Sequence, residues 1–131
     1  MARILIAEDE ESLRSLVQRA LTQSGHEAVV AADGAEALDI LTRDESAFDL
    51  LLTDIKMPIM DGIALALAAA RDHPDLTILL MTGYADQRER AFGLEALIHD
   101  VITKPFTLTE IQAAVTSALA AAQKSLSSRS I

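Results

Sequence analysis

LLLTDIKMPIMDG (residues 50–62) joins an apolar run to an acidic residue, Asp54, and then to a turn-like segment. An ionised carboxylate costs several kcal/mol to bury unless a cation or hydrogen bonds compensate it. A buried strand that leads into Asp54 therefore predicts a chemical role for this carboxylate. Pro58 and the pair Asp61–Gly62 are typical of turns and predict a shaped loop after the strand.

Short apolar runs like the one before Asp54 recur along the chain, and they predict strands at 3–7, 28–32, 49–53, 77–81 and 100–103. Near-continuous apolar runs suit strands that are buried on both faces of a parallel sheet. Helical periodicity lies between them: residues 13–21 followed by a stop signal at Gly25, weaker patterns over 35–43, 62–72 and 86–96, and a last helix over 108–122 that a Thr107–Glu110 capping box opens.

This alternation predicts an α/β fold, a doubly wound (βα)5 unit around a five-stranded parallel sheet. The length of 131 residues suits one domain, expected over 1–122, with a short polar tail at 123–131. The chain has no Cys, which excludes disulfides and thiolate metal sites. A net charge of −9 argues against binding to nucleic acid. No apolar run approaches the roughly 20 residues of a membrane span and no secretory signal is evident, so we expect no membrane association and a cytoplasmic location.

Polar residues follow the predicted strands at their carboxyl ends, where open α/β sheets bind ligands. Glu8 and Asp9 follow the first strand, Asp54 the third, Thr82 the fourth and Lys104 the fifth. If the strand order is 2-1-3-4-5, as in flavodoxin-like sheets, the first and third strands are neighbours and the three carboxylates converge. Thr82 and Lys104 would then close the other side of the site.

Three converging carboxylates repel one another unless a cation lies among them. All-oxygen ligands suit a hard ion such as Mg²⁺, which commonly also binds a phosphate. The Lys104 ammonium and the Thr82 hydroxyl are groups that can bind a phosphoryl group at the same place. Asp54 could then act as a nucleophile and become an acyl phosphate.

These residues resemble the receiver domain of two-component response regulators, from ILIAEDE at residues 4–10 to the last helix. The matching pieces are the Glu8–Asp9 pair, the segment around Asp54, LLMTGYA around Thr82, and VITKPF with Lys104 and Pro105. The resemblance implies Asp54 as phosphoacceptor, a Mg²⁺ held by Asp9, Asp54 and the carbonyl of Lys56, and Glu8 acting through a metal-bound water. It also implies Thr82 as switch hydroxyl, Lys104 as phosphoryl partner, and a Lys104–Pro105 bond that is often cis.

Two positions depart from the common pattern of this family. Glu8 stands where receivers commonly have Asp, although its longer side chain can still reach a metal-bound water. Val101 stands where many receivers have an aromatic residue that changes rotamer with the switch hydroxyl. We therefore predict that the loop of Gly83 and Tyr84 moves as the readout, with Arg88 and Arg90 as candidate partner contacts.

A signalling switch is the expected function, with a histidine kinase or histidine phosphotransfer protein as donor and another protein as target. The chain is most similar to stand-alone receivers of the CpdR type, which implies an adaptor for regulated proteolysis, because only a short polar segment follows the last helix. Two alternatives stay open: a Mg²⁺-dependent phosphohydrolase and a phosphorylation-independent interaction module. The phosphohydrolase is disfavoured because dehalogenase-type enzymes carry their nucleophile after the first strand, so no enzymatic activity beyond self-phosphorylation and dephosphorylation is expected.

Overall fold

The computed structural model describes residues 1–43, 48–83, 92–94 and 96–129 of the chain. Strands and helices alternate along it, as the apolar runs predict. The elements are β1 (Arg3–Ala7), α1 (Glu11–Gln23), β2 (Glu27–Ala31), α2 (Gly34–Arg43), β3 (Leu50–Asp54), α3 (Gly62–Asp72), β4 (Thr77–Thr82), a 3₁₀ turn (Phe92–Leu94), β5 (Asp100–Thr103) and α4 (Leu108–Arg129).

All four strand pairs are parallel, and the strand order is β2-β1-β3-β4-β5. The predicted doubly wound, flavodoxin-like sheet is thus confirmed. Because β1 lies between β2 and β3, the order reverses after β1, and this creates the crevice at the carboxyl ends of β1 and β3. The register places Ala7 opposite Thr53 and Asp54 opposite Met81, so the polar residues that follow these strands lie at one edge.

Both faces of the sheet are covered by apolar side chains, because successive strand residues point to opposite faces. Leu5, Leu51 and Leu80 contribute to the cluster that packs with α2 and α3, whereas the adjacent residues Ile4 and Leu52 contribute to the cluster that packs with α1 and α4. β3 is buried along its whole length, as the uninterrupted apolar run predicts. Among the described residues every helix is too short or too polar to span a bilayer.

The helix-end signals in the sequence correspond to observed caps. Gly25 has a φ of 90° just after α1, and the amides of Gly25 and His26 donate to the carbonyls of Thr22 (3.0 Å) and Leu21 (3.1 Å). This pattern is a Schellman motif, in which glycine adopts the left-handed conformation at little cost. At the start of α4, the Thr107 hydroxyl accepts from the amide of Glu110 while the Glu110 carboxylate accepts from the amide of Thr107, which confirms the capping box.

Several boundaries differ from the sequence predictions. β3 and β4 each include one more residue at the carboxyl end, Asp54 and Thr82, because these residues still pair with the neighbouring strand. Asp33 caps α2 by accepting from the amide of Glu36 at 2.8 Å. α4 continues to Arg129, through much of the segment expected as a polar tail. Of the helix predicted over 86–96, residues 86–91 and 95 lie outside the described residues, as do Tyr84, Arg88 and Arg90.

Candidate functional site

Three carboxylates meet at the carboxyl edge of the sheet. Oxygen atoms of Glu8, Asp9 and Asp54 lie within 4.8 Å of one another. Glu8 and Asp9 come directly after β1, and Asp54 is the last residue of β3, so the pairing of these two strands brings the carboxylates together. Glu8 is fully buried and Asp54 is 5% exposed, whereas Asp9 is exposed to solvent. The convergence predicted from the sequence is therefore observed.

Lys104 supplies a positive charge to this cluster from the opposite side. Its Nζ donates to Oε1 of Glu8 at 2.8 Å and to Oδ2 of Asp54 at 3.0 Å. The amide of Lys104 donates to the carbonyl of Thr82 at 2.7 Å, which ties the end of β5 to the end of β4. The peptide bond between Lys104 and Pro105 is cis. One ammonium group thus bridges two of the three carboxylates.

Glu8 accepts hydrogen bonds from Lys104, Glu10 and Arg14. Its Oε2 accepts from the amide of Glu10 at 3.2 Å, and its carbonyl accepts from Nη1 of Arg14 at 2.9 Å. Burial raises the pKa of Glu8 to about 7, although the hydrogen bond from Lys104 acts in the opposite direction. For Lys104, burial disfavours the charged form, but the hydrogen bonds to Glu8 and Asp54 outweigh it and raise the pKa. Arg14 was not identified from the sequence, because its position on α1 shows no distinctive pattern.

The loop after Asp54 is pinned against the strand that carries it. The amide of Gly62 donates to the carbonyl of Ile55 at 2.8 Å, and a Cβ on Gly62 would lie 1.9 Å from the carbonyl oxygen of Asp54. Asp61 caps α3 by accepting from the amide of Ala64 at 2.9 Å. The Asp61–Gly62 pair, expected as a turn, is thus also a helix cap and a point of close backbone approach. The backbone contacts of Gly62 with Ile55 and Asp54 therefore hold the loop against β3.

The residues predicted as a switch lie on the β4–β5 side of the site. Thr82 ends β4 one residue beyond Met81, which is paired with Asp54, and its side chain is 1% exposed. Gly83 is exposed, and a Cβ at this position would make only ordinary contacts with the Lys104 side chain at 3.9 Å. Val101 is half-buried and packs against the core cluster of α2 and α3. The switch roles of Thr82, Gly83, Val101 and Pro105 remain predictions, and Tyr84 lies outside the described residues.

Lys56 lies two residues beyond Asp54 with an exposed side chain, and its predicted role as a carbonyl ligand also remains a prediction. Among the described residues, the cluster of Glu8, Asp9 and Asp54 offers only oxygen ligands. Hard cations such as Mg²⁺ prefer oxygen ligands, whereas zinc and copper sites commonly contain His or Cys. The donor set of the cluster therefore fits Mg²⁺.

The response regulator receiver domain family matches residues 4–116. The chain belongs to this family. The acidic cluster is consistent with the phospho-aspartate and Mg²⁺ site of this family. The predicted family and fold are both confirmed.

Individual relatives agree with this assignment. Response regulator MprA from Mycobacterium avium is 36% identical over 111 residues, which cover 85% of this chain and 48% of that protein. Response regulator TrrA from Thermotoga maritima, solved in complex with Mg²⁺-BeF, is 29% identical with a TM-score of 0.80 over 90% of this chain and 99% of that one. A CheY-like receiver from Methanospirillum hungatei is 29% identical with a TM-score of 0.86 over 95% and 98%.

The chain spans about half the length of the curated relatives that it matches, for example 52% of a probable transcriptional regulator, ycf27, from Porphyridium aerugineum. Those relatives are longer regulators, so they do not confirm the stand-alone, CpdR-like type expected from the sequence.

Proposed function

We propose that this receiver domain accepts a phosphoryl group on Asp54 and works as a phosphorylation-dependent switch. The observation that supports this most directly is the environment of Asp54. Its side chain is only 8% exposed at the end of β3, and its carboxylate lies within 4.8 Å of the oxygens of two other carboxylates and 3.0 Å from an ammonium group. A nucleophilic carboxylate needs such partners to neutralise the incoming phosphoryl group.

The acidic cluster is the proposed site for Mg²⁺, with Asp9, Asp54 and the Lys56 carbonyl as ligands and Glu8 acting through a bound water. The fit of the donor set and the Mg²⁺-BeF complex of TrrA support this assignment. When bound, Mg²⁺ neutralises phosphoryl oxygens and orients the group for in-line transfer. Lys104 holds the charge of the transferred group on the other side, because its Nζ already contacts Asp54.

The proposed reaction moves one phosphoryl group between two proteins. An oxygen of Asp54 attacks phosphorus, the N–P bond of a phosphohistidine breaks, and the leaving imidazole takes up a proton. The acyl phosphate adds roughly 1.5 to 2 negative charges at one buried point. Thr82, buried at the neighbouring strand end, is the proposed hydroxyl donor to that charge, and its movement would transmit the state of Asp54 to the surface of β4 and β5.

Phosphoryl labelling tests the assignment of Asp54. With Mg²⁺ and acetyl phosphate, we expect one base-labile phosphoryl group in the wild type and none in Asp54→Asn, measured by intact-mass spectrometry. Asp39→Asn is the matched control, because Asp39 is an exposed aspartate on α2 whose ion pair partner is Arg43. Labelling of Asp54→Asn at the wild-type level would overturn the proposal.

The same proteins distinguish the proposed switch from two alternative functions. We propose that the domain does not turn over small phosphate esters, so a hydrolase assay with p-nitrophenyl phosphate should give no release above buffer. Release that depends on Asp54 and Mg²⁺ would instead favour the phosphohydrolase. A phosphorylation-independent interaction module would bind its target equally before and after labelling.

For partners, we propose a histidine kinase or histidine phosphotransfer protein as donor and a downstream protein as target, in the cytoplasm. From its resemblance to CpdR-like receivers, we propose that the target contact makes the domain an adaptor for regulated proteolysis. Affinity capture with wild type and with Asp54→Ala tests this part. Retention of a protease or its substrate that differs between the two proteins is expected, whereas identical captured sets would contradict it.

A further inference from the structure

Ile59 adopts a backbone conformation that isoleucine rarely takes. It has a φ of 70°, and the amide of Met60 donates to the carbonyl of Pro58 at 2.7 Å, so Ile59 is the central residue of a three-residue turn. Turns of this kind with positive φ are strained, and a β-branched side chain in this region is an outlier. Glycine or asparagine would adopt the same conformation at lower cost.

The surrounding loop imposes this conformation on position 59. Met60 is held against α2, because a Cβ on Gly34 would lie 2.3 Å from the Met60 carbonyl oxygen. On the other side, the hydrogen bond from the amide of Gly62 to the carbonyl of Ile55 closes the loop on β3. Any residue at position 59 therefore meets the same backbone, and isoleucine is among the least suited to it.

Among the described residues, the Ile59 side chain lies outside the apolar core that could offset this strain. Ile59 is 85% exposed, and neither of the two core clusters found among the described residues includes it. Strained residues of this kind concentrate at functional sites, where another requirement keeps them. For Ile59, contact with another molecule would meet that requirement.

The position of Ile59 identifies that molecule. The loop that carries it begins at Asp54, and the closing hydrogen bond at Ile55 keeps its tip beside the carboxyl end of β3. Because Asp54 is almost completely buried, a phosphohistidine can reach it only if the donor protein covers the rim of this crevice. Asp9 and Lys56, which are also exposed near Asp54, are charged. Among the described residues, Ile59 is the most exposed large hydrophobic side chain after Met1.

We infer that Ile59 is a docking contact for the phosphohistidine-bearing donor protein, where it packs against an apolar side chain next to the donor histidine. This inference rests on the proposed phosphorylation of Asp54. A small phosphodonor enters the crevice without covering the rim, so it does not use Ile59. The two donor types therefore separate docking from chemistry.

The experiment compares three variants with wild type. Ile59→Asn removes the apolar surface but tolerates the left-handed backbone, and Ile59→Met keeps apolar surface without the branch at Cβ. Leu67→Asn is the matched control, because Leu67 is an exposed leucine on α3, 45% exposed, in a separate element. Each protein is labelled with acetyl phosphate and, separately, by the autophosphorylated histidine kinase or phosphotransfer protein of the source organism that labels wild type fastest.

With acetyl phosphate, we expect the three variants to react within about twofold of wild type. With the protein donor, we expect Ile59→Asn to lose about tenfold or more in transfer rate, in the range of an interface contact that matters, and Ile59→Met and Leu67→Asn to lose less than about threefold. Thermal melting of both Ile59 variants should be at or above the wild-type temperature, which shows that the loss does not come from misfolding.

Equal transfer from the protein donor to wild type and Ile59→Asn would overturn the inference. An equal loss with acetyl phosphate would also overturn it, since the effect would then lie in the site itself, and so would the absence of transfer to wild type from every protein donor. Failure of acetyl phosphate to label wild type would instead overturn the proposed function. The two failures are therefore distinguishable.

Discussion

The Glu8 carboxyl makes the free energy of unfolding depend on pH. Burial raises its pKa from an ordinary value of 4.5 to about 7. Between these two values the folded protein holds a proton that the unfolded chain releases. Protonation therefore stabilises the fold fully at a pH below the unfolded pKa, and this stabilisation is lost as the pH rises through the folded pKa.

We expect the free energy of unfolding of wild type, relative to Glu8→Gln, to fall by roughly 1 to 3 kcal/mol between about pH 5 and pH 8 in metal-free buffer. Denaturant titrations of both proteins at each pH measure this difference. Groups that titrate in both proteins, including Lys104, largely cancel. A difference that stays constant or grows with pH would show that the pKa of Glu8 is not raised.

Gly62 lies close to the backbone of Asp54, the candidate phosphoacceptor. In Gly62→Ala the new methyl group would lie 1.9 Å from the carbonyl oxygen of Asp54 and 2.9 Å from Cα of Ile55, and neither backbone atom can move as the end of a side chain can. We expect a loss of stability of about 1 to 3 kcal/mol and slower labelling of Asp54.

Gly93→Ala is the control for this substitution, because a Cβ there meets nothing within 4 Å and φ is not positive. Thermal melting and acetyl phosphate labelling of both variants provide the comparison. Wild-type stability in Gly62→Ala would show that α3 can shift away from β3.

At the residue scale, the sequence predicts charges better than backbone contacts. Glu8, Asp9, Asp54 and Lys104 follow apolar strands, so their meeting at one edge is predictable from their position. The close approach of Gly62 to Asp54 and the positive φ of Ile59 depend on how the loop packs against α2 and β3. A local pattern does not contain that information.

At the scale of elements, strand identity is predictable because residues buried on both faces must be apolar. The exact strand ends are less so: Asp54 and Thr82 pair with β4 and β5 although both are polar. Helix ends are predictable where a side chain or a glycine makes the cap, as at Gly25 and Thr107. Asp33 and Asp61 make the same kind of cap, but each precedes a glycine, and an Asp–Gly pair is equally typical of a turn.

The capping box of α4 allows a quantitative test of one helix end. Thr107→Ala removes the hydroxyl that accepts from the amide of Glu110 at 3.1 Å, and we expect it to lower the free energy of unfolding by about 1 kcal/mol. Thr109→Ala, two residues along on the exposed surface of the same helix, should be neutral or slightly stabilising, because alanine has the higher helix propensity. Denaturant unfolding of both proteins measures the contrast, and equal effects would show that the cap contributes nothing.

At the scale of the whole molecule, the strand order is what makes the site. Periodicity alone predicts five strands and their burial but permits other orders, and only the placement of β1 between β2 and β3 brings Glu8 and Asp9 to Asp54. The order 2-1-3-4-5 is expected from flavodoxin-like sheets, and the structure confirms it. The receiver spans only about half the length of these curated relatives, in which the other half is a separate part of the protein.

Folding of a chain with a net charge of −9 brings three carboxylates together, and one ammonium group from Lys104 only partly balances them. A cation that binds this cluster and not the unfolded chain stabilises the protein by RT ln(1 + [L]/Kd). We therefore expect Mg²⁺ at tenfold excess over Kd to raise the free energy of unfolding of wild type by about 1.4 kcal/mol.

Asp9→Asn and Asp54→Asn should each lose most of this Mg²⁺ response, because each removes a charged oxygen ligand, whereas Asp39→Asn should keep it in full. Before Mg²⁺ is added, the two site variants also lose some carboxylate repulsion. For Asp54→Asn this gain is reduced, because the Lys104 ammonium then loses one of its two anionic partners. Melting curves with and without Mg²⁺, at constant ionic strength set by KCl, separate specific binding from screening. A Mg²⁺ response of equal size in all four proteins would place the cation away from the acidic cluster.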